Sequence, residues 1–232
     1  MIETQPLIAL IHAVPSGARI AQDAFAREFP EAQIWNLLDD RLLDDARTAN
    51  GLDGALRRRM LRLIANAVES GAGGVLLTCS SYGEVVDTAR TLWTVPILKS
   101  DESMFRTALS GPHDRIAVAA STPPAVPAAA AQLDALMAET RGTRPVHITT
   151  ALSEQAAAAD GPQETARHLA DALAATGARD IQSVLLAQYS LAFAGRALAD
   201  LLHLPVLDGA AAAARDLRAR LLGERSTAAV PA

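Results

Sequence analysis

The sequence predicts an α/β protein of two pseudo-symmetric lobes, each built on a parallel sheet, with the functional site in the cleft between them. Three observations carry this. Short apolar runs alternate with longer helical stretches along all 232 residues. The pattern restarts halfway. Half of the residues are hydrophobic but only 3% are aromatic, so the core must be assembled from Leu, Val, Ile and Ala. Such a core suits helices laid closely on a buried parallel sheet.

The elements follow in order. Leu7-Ile8-Ala9-Leu10-Ile11 is a continuous apolar run and reads as a buried strand over 7–11. A helix over 18–28 follows, ended by Pro30, and then a strand over 33–37. A strong helix spans 53–70, with Asp53 as its N-cap and Gly71 as its stop. Strands over 75–78 and 95–98 flank a helix over 82–92, and a helix over 102–109 closes the first set. The second set has strands over 115–120, 146–150, 183–187 and 206–207. Its helices span 124–140, 163–175, 192–202 and 210–222. Strands alternating with helices imply right-handed βαβ units.

The restart has landmarks. Ile8-Ala9-Leu10 is matched by Ile116-Ala117-Val118, 108 positions on. Val75-Leu76-Leu77-Thr78-Cys79 is matched by Val184-Leu185-Leu186-Ala187-Gln188, 109 positions on. Cys79 to Pro96 and Gln188 to Pro205 both span 17 positions, and Pro15 and Pro123 fall at equivalent places. These coincidences predict an internal duplication. They divide the chain into a first lobe of residues 1–99 with 208–232 and a second of residues 100–207.

Composition narrows the function. The net charge is −5 and no basic stripe is present, so nucleic acid is not an expected partner. Arg57, Arg58, Arg59 and Arg62 read as one solvated helix face. A single cysteine cannot form an internal disulfide, which fits a reducing, cytoplasmic setting. Residues 1–6 lack the basic start of a signal peptide, no apolar run is long enough to span a bilayer, and the small, polar tail over 223–232 is expected to fray. The histidines are scattered without metal-ligand spacing, and Asp39, Asp40, Asp44 and Asp45 read as solvated turn residues. Gly71-Ala72-Gly73-Gly74 precedes a strand instead of following one, so it is no dinucleotide fingerprint.

In open parallel sheets ligands bind beyond the carboxyl ends of the strands. Those ends supply His12, Ser16, Cys79, Ser80, Ser81, Ser121, Thr122, Gln188 and Ser190. Cys79 is followed by two hydroxyl residues and a helix. A helix N-terminus lowers a thiol pKa and offers N–H groups to an anion. The combination reads as a carboxylate cradle beside a thiol. His12 is either a second base or a satisfied loop histidine. Tyr82 and Tyr189 are either walls of the site or packing.

With Val75-Leu76-Leu77-Thr78-Cys79-Ser80-Ser81, the duplicated lobes and Asp101-Glu102-Ser103-Met104, the chain resembles the aspartate/glutamate/hydantoin racemase superfamily over nearly its whole length. In that superfamily two cysteines from opposite lobes flank the α-carbon of a carboxylate substrate. One thiolate removes the α-proton and the other thiol donates one to the opposite face, with no cofactor. The resemblance implies the first role for Cys79, carboxylate binding for Ser80 and Ser81, and a hydroxyl position for Thr122. The superfamily often forms dimers, so a homodimer is a natural state of assembly.

The second cysteine's place holds Gln188, which donates and accepts hydrogen bonds but exchanges no proton at neutral pH. Leu-Ala-Gln followed by a small residue looks like a recurring variant of the superfamily. The expectation is therefore a cofactor-independent racemase or isomerase acting through one thiol on the carbon next to a carboxylate. Two alternatives stand beside it. One is a decarboxylase of a malonate-like acid, as in the superfamily's arylmalonate decarboxylase branch. The other is a protein that binds a small carboxylate without turning it over.

Overall fold

A computed structural model describes residues 5–139 and 145–223. The expectations for the first four residues, the end of the helix at 140 and the tail from 224 lie outside these. The described residues form two compact units, one of residues 5–100 with 213–223, the other of residues 101–212.

The first unit runs β1 (Leu7–His12), α1 (Pro15–Glu28), β2 (Gln33–Leu38), α2 (Leu42–Thr48), α3 (Gly54–Glu69) and β3 (Gly74–Leu77). A 3-10 turn (Ser80–Tyr82), α4 (Gly83–Leu92) and β4 (Ile97–Lys99) complete it. Its four strands are parallel in the order β2-β1-β3-β4. Ile8, Ala9, Leu10 and Ile11 are all fully buried, so both faces of the central strand are covered. This is why the strand reads as an unbroken apolar run.

The second unit runs α5 (Glu102–Ser110), β5 (Arg115–Ala120), α6 (Ala125–Glu139), β6 (His147–Leu152), α7 (Gln155–Ala158), α8 (Pro162–Ala175) and β7 (Ser183–Leu186). A 3-10 turn (Tyr189–Ala194), α9 (Gly195–Leu202), β8 (Val206–Asp208) and α10 (Gly209–Leu222) follow. The sheet order is β6-β5-β7-β8, again all parallel. Ile8 of β1 faces Ile34 and Gly74, and Ile116 of β5 faces Ile148 and Ser183, so the two sheets repeat one register. From Ala213 onward α10 belongs to the first unit. There Arg218 pairs with Glu31 through two hydrogen bonds, and Arg215 lies 3.0 Å from Glu28. The Arg218 contact holds the Glu31 carboxyl down to about 2.

Local chemistry sets the element ends. Asp53 accepts the Leu56 N–H at 2.8 Å and caps α3. At its other end Gly71 takes φ +93°, which a side chain would strain. The Ala72 N–H then reaches the Ala67 carbonyl and the Gly71 N–H the Val68 carbonyl, closing the helix in the Schellman pattern. Two helices are additional to the expected set, α2 and the single turn α7. In α2, Leu42 and Ala46 are buried one turn apart beneath an acidic surface. The stretch around Asp44 and Asp45 is thus helical and not a turn. No described helix is long and apolar enough to cross a membrane.

Candidate active site

In each sheet the strand order reverses beside the first strand of its unit. The chain steps from β1 out to β2 and then crosses to β3 on the other side; β5, β6 and β7 repeat this. Ligands of open α/β sheets sit outside the carboxyl ends at such a reversal. In the first unit those ends carry His12 and the Thr78–Ser81 segment. In the second they carry Ser121, Thr122 and the segment from Ala187 to Ser190.

Cys79 leaves β3 in extended conformation (φ −108°, ψ 110°) and is half-buried. Ser80 and Ser81 beside it are exposed, as is Ser16, the second residue of α1 after Pro15. Burial pushes the Cys79 thiol up. The Ser81 N–H and hydroxyl, the Tyr82 N–H and the Arg47 charge pull the other way without cancelling it. This corrects the expectation of a thiol acidified by a helix. A 3-10 turn follows Cys79, and α4 begins only at Gly83. The turn is anchored from below. Tyr82 is fully buried and donates its phenol hydrogen to the Leu42 carbonyl at 2.7 Å. Its pKa is pushed up to about 12 by burial, so Tyr82 is packing.

His12 is fully buried, with Nδ1 2.9 Å from Thr78 Oγ1 and Nε2 2.9 Å from Asn36 Oδ1. Burial lowers its pKa, against the opposing hydrogen bond to Asn36. A neutral ring fits these partners when Nε2–H donates to Asn36 and Nδ1 accepts from Thr78. Both ring nitrogens are then engaged, and none is left for a ligand. His12, expected among the ligand-facing residues, is instead a positioning residue behind Thr78. A Cβ on Gly17 would lie 3.2 Å from Thr78 Oγ1 and 3.6 Å from His12 Nδ1, so α1 approaches this pair as closely as glycine permits. Thr78 and Asn36 were not singled out from the sequence. Asn36 carried a signal, as a lone polar residue within Ile34-Trp35-Asn36-Leu37-Leu38.

In the second unit Gln188 leaves β7 extended (φ −150°, ψ 134°) and reaches the end of β5. Its Oε1 accepts from the Ser121 N–H at 2.6 Å, the Thr122 N–H at 3.2 Å and the Ser121 hydroxyl at 3.2 Å. Ser121 is buried, Thr122 half-buried and Ser190 exposed. The Tyr189 phenol oxygen is buried without a hydrogen-bond partner among the described residues. Burial, then Asp101 and Asp208, push its pKa well up.

Cations near the strand ends are mostly committed. Lys99 pairs with Asp87 at 2.8 Å, and Arg106 with Glu102 and Glu139 at 3.0 Å each. Arg19, on α1 three positions after Ser16, has no ion pair among the described residues. No group of three or more potential metal ligands occurs among the described residues.

The Asp/Glu/hydantoin racemase family model matches residues 18–217. Among solved structures, allantoin racemase from Klebsiella pneumoniae is 18% identical with a TM-score of 0.69, covering 98% of this chain and 94% of its own. An aspartate racemase homologue from Pyrococcus horikoshii OT3 is 12% identical with a TM-score of 0.68, covering 95% and 100%. Arylmalonate decarboxylase is 19% identical with a TM-score of 0.59, covering 95% and 94%. At these identities the likeness is one of fold. No curated protein sequence matches the chain.

Proposed function

Because the chain belongs to the Asp/Glu/hydantoin racemase family, we propose that it is a cofactor-independent racemase or isomerase acting on the carbon next to the carboxylate of a small acid or amino-acid derivative, with Cys79 as its one proton-exchanging group. The observation that carries this is the place of Cys79. It is the sole cysteine, at the carboxyl end of β3 beside the strand-order reversal, with two exposed hydroxyl residues next to it.

The chemistry follows from the groups. A thiolate at Cys79 takes the α-proton, and the C–H electron pair moves into an enediolate whose charge rests on the carboxylate oxygens. Hydrogen-bond donors stabilise that charge. Ser80, Ser81 and Ser16, exposed at the strand ends of the same unit as Cys79, are the candidates. The proton then returns from the thiol to carbon. Inversion with one thiol requires the enediolate to present its other face, so turnover should be slow relative to exchange at one face.

A second reading has its own observation. Burial keeps the Cys79 thiol protonated at rest. A decarboxylase needs that form. Loss of CO₂ leaves the C–C electron pair in an enediolate, the thiol delivers its proton to carbon, and water reprotonates the thiolate.

One experiment separates the readings. The protein and Cys79→Ser are incubated in D₂O with aspartate, glutamate, hydantoins, malonates and maleate, and followed by proton NMR. α-Deuteration or isomerisation lost in Cys79→Ser supports the first reading. CO₂ loss with one deuterium gained supports the second. Binding shifts without turnover in either protein reject both and leave a carboxylate-binding protein.

A further inference from the structure

Gln188 is the counterpart of Cys79 in the internal repeat, at the carboxyl end of β7 as Cys79 is at that of β3, and its hydrogen bonds dictate what it offers. Three donors converge on its Oε1, two of them backbone N–H groups. A backbone N–H cannot accept, so the amide has one workable orientation, with oxygen toward Ser121 and Thr122 and nitrogen away. No described residue accepts a hydrogen from that nitrogen. Hydrogen bonds to an amide oxygen also polarise the amide and strengthen its N–H donors. The group left without an acceptor among the described residues is thus a neutral pair of N–H donors on a half-buried residue at the carboxyl end of β7.

We infer that Gln188 is a specificity-determining residue that presents this amide N–H pair to a carboxylate oxygen of the ligand, while the end of β5 holds its carbonyl in place. The inference deepens the proposed function and rests on it only for the ligand's being a small carboxylate. A neutral donor suits an anionic oxygen and leaves no basic atom beside it. The position therefore selects carboxylates without taking part in proton exchange.

A second glutamine supplies the control. Gln182 precedes β7, and its Oε1 accepts the Asp114 N–H at 2.9 Å and the Arg115 N–H at 3.1 Å. The two glutamines bracket β7 and fasten both ends of β5 in the same manner. Gln182 lies at the amino ends of the strands, where the ligand crevice is not found. If Gln188 were merely a fastener, removing it would act as removing Gln182 does.

The test is binding, which is blind to turnover. Malonate and acetate are titrated into ¹⁵N-labelled wild type, Gln188→Ala, Gln188→Glu, Gln182→Ala and Cys79→Ser. In wild type the Gln188 side-chain amide protons should move downfield with malonate, while the Ser121 and Thr122 backbone amides hold their shifts. Gln188→Glu keeps one oxygen on the N–H pair but turns the amide donor into a charged acceptor, so malonate affinity should fall by about tenfold or more. Gln188→Ala should lose somewhat less. Gln182→Ala should be destabilised yet keep wild-type affinity, and Cys79→Ser should keep the amide response. The inference is overturned if wild type binds neither acid, if malonate binds without moving the Gln188 amide, if Gln188→Glu binds as tightly as wild type, or if Gln182→Ala loses as much affinity as Gln188→Ala. An amide response in a protein without turnover would reject the carbon-acid readings and leave this assignment standing.

Discussion

His12 Nδ1 lies 2.9 Å from Thr78 Oγ1, and the pair joins the carboxyl end of β1 to that of β3 one residue before Cys79. The Thr78 hydroxyl is also within 3.2 Å of the Ile11 carbonyl, and the Thr78 N–H donates to that carbonyl at 3.0 Å. The main chain that delivers Cys79 is therefore held by side chain and backbone together.

Removing the imidazole should open a cavity at a fully buried position and leave the half-buried Asn36 side chain without this partner. His12→Ala is expected to lose about 2–4 kcal/mol near pH 7.5, read from urea denaturation. The loss has a sign in pH. His12 in the folded state lies below its ordinary value, so the unfolded chain binds the proton more readily. Its contribution is full above about 6.5, the unfolded value, and declines as pH falls toward the lowered folded value. The gap between wild type and His12→Ala should thus narrow between pH 7.5 and pH 5. A gap that widens instead would mean His12 is charged in the fold.

Gly17→Ala sets two terms against each other. Alanine improves helix propensity by up to about 1 kcal/mol. The new Cβ meets Thr78 Oγ1 at 3.2 Å, and that oxygen is packed against the buried His12 ring and has little room to yield. Crowding of this kind costs about 1–3 kcal/mol, so a net destabilisation is expected. A higher melting temperature in Gly17→Ala would show that Thr78 moves freely.

The two tyrosines give a spectroscopic check. Tyr82 is held at about 12, and Tyr189 is pushed well above its usual range. Neither should ionise at pH 10.5 in the folded protein, whereas both should do so in denaturant, as read by phenolate absorbance. The stability tied to Tyr82 is fully present below about 10 and is lost as pH rises through about 12. Tyr82→Phe removes the bond to the Leu42 carbonyl and should cost about 1–2 kcal/mol.

How far the sequence could be read depends on the range of the interactions. The strands were legible because burial on both faces makes them continuous apolar runs, as in 7–11. The repeat was legible because Cys79 and Gln188 sit at matching strand ends. Helix α2 was not, since only Leu42 and Ala46 mark its buried side and four acids surround them. The engagement of His12 depends on Asn36, a strand away, and the orientation of Gln188 depends on β5 lying beside β7. Sequence order alone does not state which strands are neighbours, so both roles became visible only with the sheet order.

Ser81 offers the most direct handle on the thiol. Its backbone N–H and its hydroxyl both favour the thiolate of Cys79, while burial opposes it. Ser81→Ala removes the hydroxyl and keeps the N–H, so the thiol should rise further. At pH 8 the reactive thiolate is already a minority, and alkylation by iodoacetamide should slow several-fold in Ser81→Ala, with the difference shrinking at pH values where both thiols are ionised. Equal rates across the range would mean that the hydroxyl does not touch the sulfur in solution. A slower rate that persists at high pH would point to blocked access instead. Because the sequence has one cysteine, the measurement reports on Cys79 alone. A parallel loss of deuterium exchange in Ser81→Ala would tie the thiol's ionisation to turnover, as a base requires. Unchanged or faster product formation would fit a thiol that works as the acid.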